Sequence, residues 1–366
     1  EGGGARGAYE AGAIKALSKK KIFFDAVAGT SIGAINAAFY ACNNLDGMYK
    51  LWETTDSKEL FGLDGKFLND ISNHKFDLKE IKENKEDIEK IIKNIGVDTT
   101  NIRKLLSKNL KEDKFYKSKI NFGLVTFSIS DLKPLEIFKR DIPKGKFVDY
   151  VLASAYLPGF KFERIIDDKY YLDGGVHMNC PIDMLLDEGY EEIYAVRAWD
   201  NRKLKYKPRK NTKVHIIKPK EDLGSILVFT PEISLYRMNL GYYDTLKYLD
   251  NLDGNKYYFK HKDEAYYDRL FDKVTLKRMI KKYNKGLPPK SNKDFIIKII
   301  EKVCKQRNIE RFKIYNIPYL ITKLKYQFAG DKKNQYYDFI KNIKVDFEDW
   351  YEPRFLDKIE TRFLYD

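Results

Sequence analysis

Gly29-Thr30-Ser31-Ile32-Gly33 carries the Gly-x-Ser-x-Gly spacing of a nucleophile elbow, a tight strand-to-helix turn that lifts a serine hydroxyl clear of the backbone. Gly29 and Gly33 suit such a turn because it is strained and its neighbours leave little room for a Cβ. The context agrees. Phe24-Asp25-Ala26-Val27-Ala28 predicts a short buried strand before the serine, and the Ala-rich run from Ile32 to Asn43 predicts a helix after it.

Upstream lies Gly2-Gly3-Gly4-Ala5-Arg6-Gly7, followed by an amphipathic helical pattern from Gly7 to Lys19. An elbow serine needs backbone N–H groups aimed at the oxygen that becomes negative during acyl transfer. A glycine run at a helix N-terminus can supply them, because free N–H groups and the macrodipole both favour negative charge there. Gly2, Gly4 and Gly7 also fit Gly-x-Gly-x-x-Gly, the dinucleotide fingerprint, with Asp25 near the distance of a ribose-binding acid. That acid should close a strand, whereas Asp25 precedes the apolar triplet Ala26-Val27-Ala28.

A serine hydroxyl is a poor nucleophile until something takes its proton. The chain has four histidines, His74, His177, His215 and His261, and none sits in a glycine-bordered turn. Tyr170-Tyr171-Leu172-Asp173-Gly174-Gly175 offers a carboxylate at the C-terminal end of a short strand, the edge where α/β sites assemble. By themselves these residues also read as an ordinary Asp-Gly turn. His177, four residues on, is a competing base.

The three segments occur in the order glycine loop, serine elbow, Asp-Gly-Gly, and this resembles the patatin-like phospholipase family. Gly2, Gly3, Gly4, Arg6 and Gly7 match its glycine-rich element; Gly29, Ser31 and Gly33 match its elbow; Asp173 and Gly174 match its Asp-Gly element. Ala153-Ser154-Ala155, Pro158-Gly159-Phe160, Asn179, Pro181 and Gly241-Tyr242-Tyr243-Asp244 also look similar, so the resemblance covers about residues 1–250. It implies a three-layer α/β/α domain with a mostly parallel sheet and a Ser–Asp dyad. In that reading Ser31 is nucleophile, Asp173 is base, and the loop Gly2, Gly3, Gly4, Ala5, Arg6, Gly7 with Ile32 forms the oxyanion hole. Gly174 and Gly175 turn the chain after the acid, and Arg6 holds the loop or meets a phosphate. The implied substrate is a lipid ester, with no cofactor and no metal. A non-lipid acyl ester, or a weakly active membrane-binding or scaffolding protein on the same fold, remains open.

The 366 residues are 43% hydrophobic, enough for one substantial core and a smaller second unit, and too many for a disordered chain. Cys42, Cys180 and Cys304 are odd in number and far apart, which suggests neither a disulfide framework nor a zinc site and favours a reducing, cytoplasmic setting. Ala26 to Leu45 carries no charge, yet its glycines, Thr30, Ser31, Asn36, Asn43 and Asn44 fit a buried strand, elbow and helix better than a membrane span. The glycine loop begins at the second residue, so a strand is expected upstream of it, and a secretion signal stays open.

Net charge is +14 and uneven. Residues 255–366 hold 27 Lys and Arg against 16 Asp and Glu, and Lys273 to Lys325 holds 16 against 3. An anionic membrane surface, nucleic acid and a plain solvated face compete to explain this. No nucleic-acid reading module is recognisable, which disfavours the second.

Residues 1–254 thus read as the hydrolase domain, with a Lys- and Glu-rich helical insertion at 56–118 that could cap the site as a lid. Within it Phe76 to Ile92 has helical spacing. Strands are expected over Ile120–Ser130, Leu135–Arg140, Arg164–Ile166, Tyr170–Leu172, Ile193–Val196 and Val214–Ile217. Helices are expected over Phe147–Tyr156, Pro181–Glu188 and Pro231–Leu249. Residues 255–366 read as a basic helical domain, where Ser291 to Asp294 resembles a capping signal and Ile296, Ile299, Ile300 and Val303 share one face.

Overall fold

A computed structural model of the chain describes residues 1–61 and 96–345. The expected helix over Phe76–Ile92, His74 and most of the lid reading lie outside the described residues. Two compact units result, Glu1–Thr245 and Leu246–Asp366, a division that falls ahead of the Asp250–Gly254 turn.

In the first unit the glycine run enters a 3₁₀ turn at Gly4–Arg6 and continues as α1 (Gly7–Lys19). Then follow β1 (Ala26–Thr30), α2 (Ile32–Ala41), α3 (Leu45–Thr54) and α4 (Ser57–Phe61). Beyond the gap come α5 (Thr100–Asn109), α6 (Glu112–Lys117), β2 (Asn121–Ser128), β3 (Lys133–Phe138), α7 (Phe147–Ser154) and β4 (Tyr171–Asp173). The unit closes with α8 (Ile182–Asp187), β5 (Glu192–Val196), β6 (Lys213–Ile217) and the start of α9 (Pro231–Leu249).

β1 lies about two residues later than the sequence suggests, because the strand pairs right up to the elbow rather than ending at Ala28. The strand expected at Arg164–Ile166 does not form. Asp167 and Asp168 both take positive φ, and the chain turns back through a single bridge between Ile166 and Lys169.

Alternation along β2 builds the layers. Phe122 and Leu124 enter the core shared with α2 and α7, whereas Val125 packs with Met184 of α8. Helices therefore cover both faces, which makes a three-layer α/β/α unit. α2 is buried almost all round, as its uncharged composition requires, from Gly33 to Ala41. No helix among the described residues is long and apolar enough to cross a membrane.

Register on β2 brings the motifs together. β1 runs parallel to it, with Thr30 opposite Val125. β4 runs antiparallel, with Asp173 opposite Thr126. β3 takes the other edge through Gly123 to Ser128, so β1 and β4 share one edge and meet end to end. β5 and β6 pair in parallel as a separate ribbon.

The second unit contains α10 (Glu264–Arg269), α11 (Lys273–Tyr283), α12 (Asn292–Gln306), α13 (Ile317–Phe328) and α14 (Tyr337–Asn342). It is not wholly helical: β7 (Tyr258–Phe259) and β8 (Ile314–Tyr315) form a short parallel pair. Two-residue strands leave no periodicity for a sequence to display. Ser291 caps α12 by accepting from the Asp294 N–H at 3.2 Å, and Ile296, Ile299, Ile300 and Val303 are buried against α13 residues such as Leu320 and Leu324. The Glu301 carboxylate gathers the N–H groups of Asn255, Lys256 and Tyr257, pinning the loop that precedes β7.

Candidate functional site

Ser31 stands between β1 and α2 at φ 58°, ψ −128°, a conformation that costs a non-glycine residue about 1–3 kcal/mol. Neighbouring backbone enforces it. A Cβ on Gly29 would lie 2.2 Å from the Gly33 carbonyl carbon, so glycine is required where the turn folds back on itself. The Ser31 N–H donates to Ser154 Oγ at 3.0 Å, and Ser154 Oγ donates onward to the Val125 carbonyl at 2.6 Å. The C-terminal end of α7 thereby ties the elbow to the middle of β2.

Asp173 ends β4 and is 6% exposed. Its Oδ1 accepts from the Gly175 N–H at 2.7 Å, the first bond of the 3₁₀ turn at Gly174–Val176. Loss of water pushes its pKa up to about 6, while the Ser31 hydroxyl, the Gly175 N–H and the charge of Arg202 pull it back toward the ionised form. Oδ2 is buried and has no partner of standard hydrogen-bond geometry among the described residues. The Ser31 hydroxyl therefore acts on the Asp173 carboxylate without a hydrogen bond of standard geometry to Oδ2.

The glycine loop is held from two sides. Gly2 donates to the Asn179 carbonyl at 2.9 Å and accepts from Asn179 Nδ2 at 3.0 Å and Trp199 Nε1 at 2.9 Å. Ala5 donates to the Ile226 carbonyl at 2.7 Å, Arg6 to Gly3, and Gly7 to Gly4. These bonds bear on which amides of the expected oxyanion set can donate outward. The N–H groups of Gly2, Ala5, Arg6 and Gly7 have partners within the fold, whereas those of Gly3, Gly4 and Ile32 have none among the described residues. Gly4 takes φ +53° with Ile226 packed against it, a position only glycine fills without strain.

Arg6 holds the loop. Its guanidinium lies 4.0 Å from the Trp199 ring centroid, bonds the Gly224 carbonyl at 2.8 Å and pairs with Asp222 at 3.1 Å. Sequence reading missed its counterpart, Arg237 of α9, which is 2% exposed. Arg237 donates to the carbonyls of Ala5 at 2.8 Å, Leu223 at 2.8 Å and Ser225 at 2.9 Å. Desolvation pulls its pKa down to about 10. Every partner is a main-chain oxygen, so no short motif announces it. A lone Arg in an otherwise apolar helical stripe is the only available signal.

The competing assignments fall elsewhere. His177 faces Glu136 on β3 at 3.8 Å, His215 pairs with Glu192, and His261 pairs with Asp253 in the second unit. Asp25 precedes β1, where its carbonyl accepts from the Asn121 N–H. Cys42 and Cys304 are buried and Cys180 is partly so, all as free thiols.

Beside Ser31 opens an apolar cavity of about 80 Å³. Gly4, Ser31 and Ile32 form one end, and Trp52, Phe61, Leu106, Phe160 and Phe229 are among its walls. Trp52 and Phe229 stack with ring centroids 5.9 Å apart.

Fold and site together define an α/β protein with a strained serine on a strand-to-helix elbow and a buried carboxylate that interacts with it. The patatin-like phospholipase family model matches residues 1–186, just over half of the chain, and the chain belongs to that family. A patatin-like phospholipase domain-containing protein of Caenorhabditis elegans is 60% identical over 40 residues, which are 11% of this chain. The match spans only 4% of that relative's length. Among solved structures, VipD from Legionella pneumophila aligns over 91% of this chain and 80% of its own at 16% identity and TM-score 0.41. The type III effector protein ExoU aligns over 93% and 73% at 13% identity and TM-score 0.32.

Proposed function

We propose that this protein is a serine lipid acyl hydrolase that cleaves carboxylic esters of phospholipids or related lipids through Ser31 and Asp173. The observation that carries the reading is the convergence on β2. Thr30 and Asp173 sit opposite consecutive residues, Val125 and Thr126, which supports a meeting of Ser31 and Asp173 across 142 positions of sequence. Family membership supports a lipid substrate.

Ser31 Oγ attacks the ester carbonyl carbon while its proton passes to Asp173 Oδ2, the carboxylate oxygen left without a bond. The tetrahedral oxyanion accepts from the N–H groups of Gly3, Gly4 and Ile32. Collapse breaks the bond to the leaving alcohol, which takes the proton back from Asp173. Water then attacks the acyl-enzyme carbonyl and gives a proton to the same carboxylate; collapse breaks the bond to Ser31 Oγ, which takes that proton back as the fatty acid leaves. A base near pH 6 suits this task, since it is ionised at neutral pH yet retains basicity. The apolar cavity offers a first seat for acyl methylenes.

A lipid and non-lipid ester panel read by mass spectrometry, comparing wild type with Ser31→Ala, tests the proposal. Release of fatty acid by wild type alone, with fluorophosphonate labelling at Ser31, is the expected result. A wild-type protein that leaves Ser31 unlabelled and every ester intact is a binding protein on this fold. Turnover confined to short water-soluble esters would replace the lipid substrate with a non-lipid one.

A further inference from the structure

We infer that the second unit holds a binding site for a compact, multiply phosphorylated anion, in a cavity of about 550 Å³ where Lys282, Lys285, Lys298, Lys302, Lys332 and Lys333 converge. Three separate pieces of chain supply them. Lys282 lies in the last turn of α11 and Lys285 just beyond it, Lys298 and Lys302 lie one turn apart on α12, and Lys332 and Lys333 lie in the loop before α14.

The charge is unbalanced at close range. Asp338 is the cavity's one carboxylate, and it is engaged by Lys282 at 3.0 Å and Arg278 at 3.8 Å. Among the described residues no ion pair joins Lys285, Lys298, Lys302, Lys332 or Lys333 to an acid. A lysine-rich composition scatters charge over a surface. It does not account for five ammonium groups, unneutralised among the described residues, around one concavity, where like charges repel. An anion that enters the concavity removes that repulsion.

Shape and chemistry select the ligand class. The volume falls within the range of small-molecule sites. Lysine binds phosphate as a point charge with three rotatable donors, so a ring of lysines suits phosphates pointing in several directions better than one planar carboxylate. Nucleic acid is the weaker fit, because it needs exposed aromatic faces for base stacking. Here Tyr283 and Tyr336 stack on each other, centroids 5.8 Å apart, and Tyr283 Oη is tied to the Gln335 carbonyl at 2.7 Å. Phosphorylated inositol, free or as a membrane lipid head group, has the required chemistry.

The inference does not depend on the hydrolase reading, and its test needs no turnover. Full-length Ser31→Ala protein, which leaves vesicles intact, is titrated at physiological salt with soluble inositol trisphosphate. Phosphatidylcholine vesicles carrying phosphatidylinositol bisphosphate are the second probe, and vesicles matched in charge with phosphatidylserine are the third. The expected result is saturable trisphosphate binding that Lys298→Glu with Lys302→Glu weakens by about tenfold or more, without change in thermal unfolding. Lys203→Glu with Lys205→Glu in the first unit should leave it unchanged. Recruitment to bisphosphate vesicles above phosphatidylserine vesicles assigns the ligand to the membrane. Trisphosphate binding without vesicle recruitment assigns it to the soluble pool. The inference is overturned if trisphosphate binds no better than inorganic phosphate at equal ionic strength. It is equally overturned if both charge-reversed pairs weaken binding alike, or if a single-stranded oligonucleotide displaces the trisphosphate at lower charge concentration.

Discussion

Arg237 donates from Nη1 to the carbonyl of Ala5 at 2.8 Å, so a buried cation on α9 grips the glycine loop that precedes α1. The other arms of the guanidinium hold Leu223 and Ser225, while Ile226 accepts from the Ala5 N–H. The segment from 223 to 226 and the glycine loop are thus fastened to each other through one side chain. Arg237→Met should orphan several buried carbonyls, each costing roughly 1–3 kcal/mol, and lower the thermal midpoint sharply. Arg237→Lys keeps the charge but cannot reach every oxygen. It should remain folded and lose kcat by about 10- to 100-fold with little change in KM, because only the placement of the amides shifts. Unfolding curves beside steady-state kinetics check both variants.

Burial raises the Asp173 pKa to about 6, which fixes the sign of two pH effects. The base must be ionised to accept the serine proton, so kcat/KM should rise with pH and level off above about 6. Stability moves the opposite way. The ordinary value is 3.8, so between about 4 and 6 the folded state holds a proton that the unfolded chain has released. Stability from this group is complete below that window and falls as pH rises through it, by on the order of 3 kcal/mol. Asp173→Asn should abolish turnover, remove this pH dependence and raise the thermal midpoint near neutral pH. A midpoint unchanged from wild type would show that the carboxylate is better solvated than its burial indicates.

The glycine loop, the elbow and the Asp-Gly-Gly turn were legible in sequence because each needs particular residue types at fixed local spacing. Gly29 and Ser31 announce their backbone geometry directly. The α1, α2 and α9 spans were legible for a similar reason, since helical periodicity accumulates over many residues. What could not be read depends on partners far along the chain. Whether an amide is free is decided for Gly2 by Asn179 and for Ala5 by Ile226, and neither pairing leaves a local trace. The end-to-end meeting of β1 and β4 is likewise a property of β2 register. Arg164–Ile166 misleads because its apolar and β-branched residues suit a strand, while Asp167 and Asp168 adopt the positive φ that ends it.

Ser154 connects two backbones rather than filling space, accepting from the Ser31 N–H and donating to the Val125 carbonyl. Ser154→Ala leaves both buried groups without a partner. It should cost roughly 2 kcal/mol in urea unfolding and reduce kcat, since the elbow loses a restraint on its strained φ. Ser154→Thr keeps the hydroxyl and should recover much of the lost activity if the bonds matter more than the volume. Equal damage from both variants would assign the role of Ser154 to packing alone.

In the proposed mechanism the cavity beside Ser31 bears on which acyl groups the site accepts. At about 80 Å³ it holds the volume of roughly two to three waters, far less than a long acyl chain. Phe229 forms part of the wall and stacks on Trp52, with its other flank against Phe61 at 5.8 Å. Phe229→Ala enlarges the space where the first methylenes would sit, at a stability cost of about 3–5 kcal/mol. The expected outcome is a higher kcat/KM for longer acyl chains relative to short ones, measured on a homologous ester series below the variant's thermal midpoint. Leu106→Phe, also in the cavity lining, should shift the preference toward short chains with a smaller effect on folding. An unchanged chain-length profile in both variants would mean that the acyl chain lies outside this cavity.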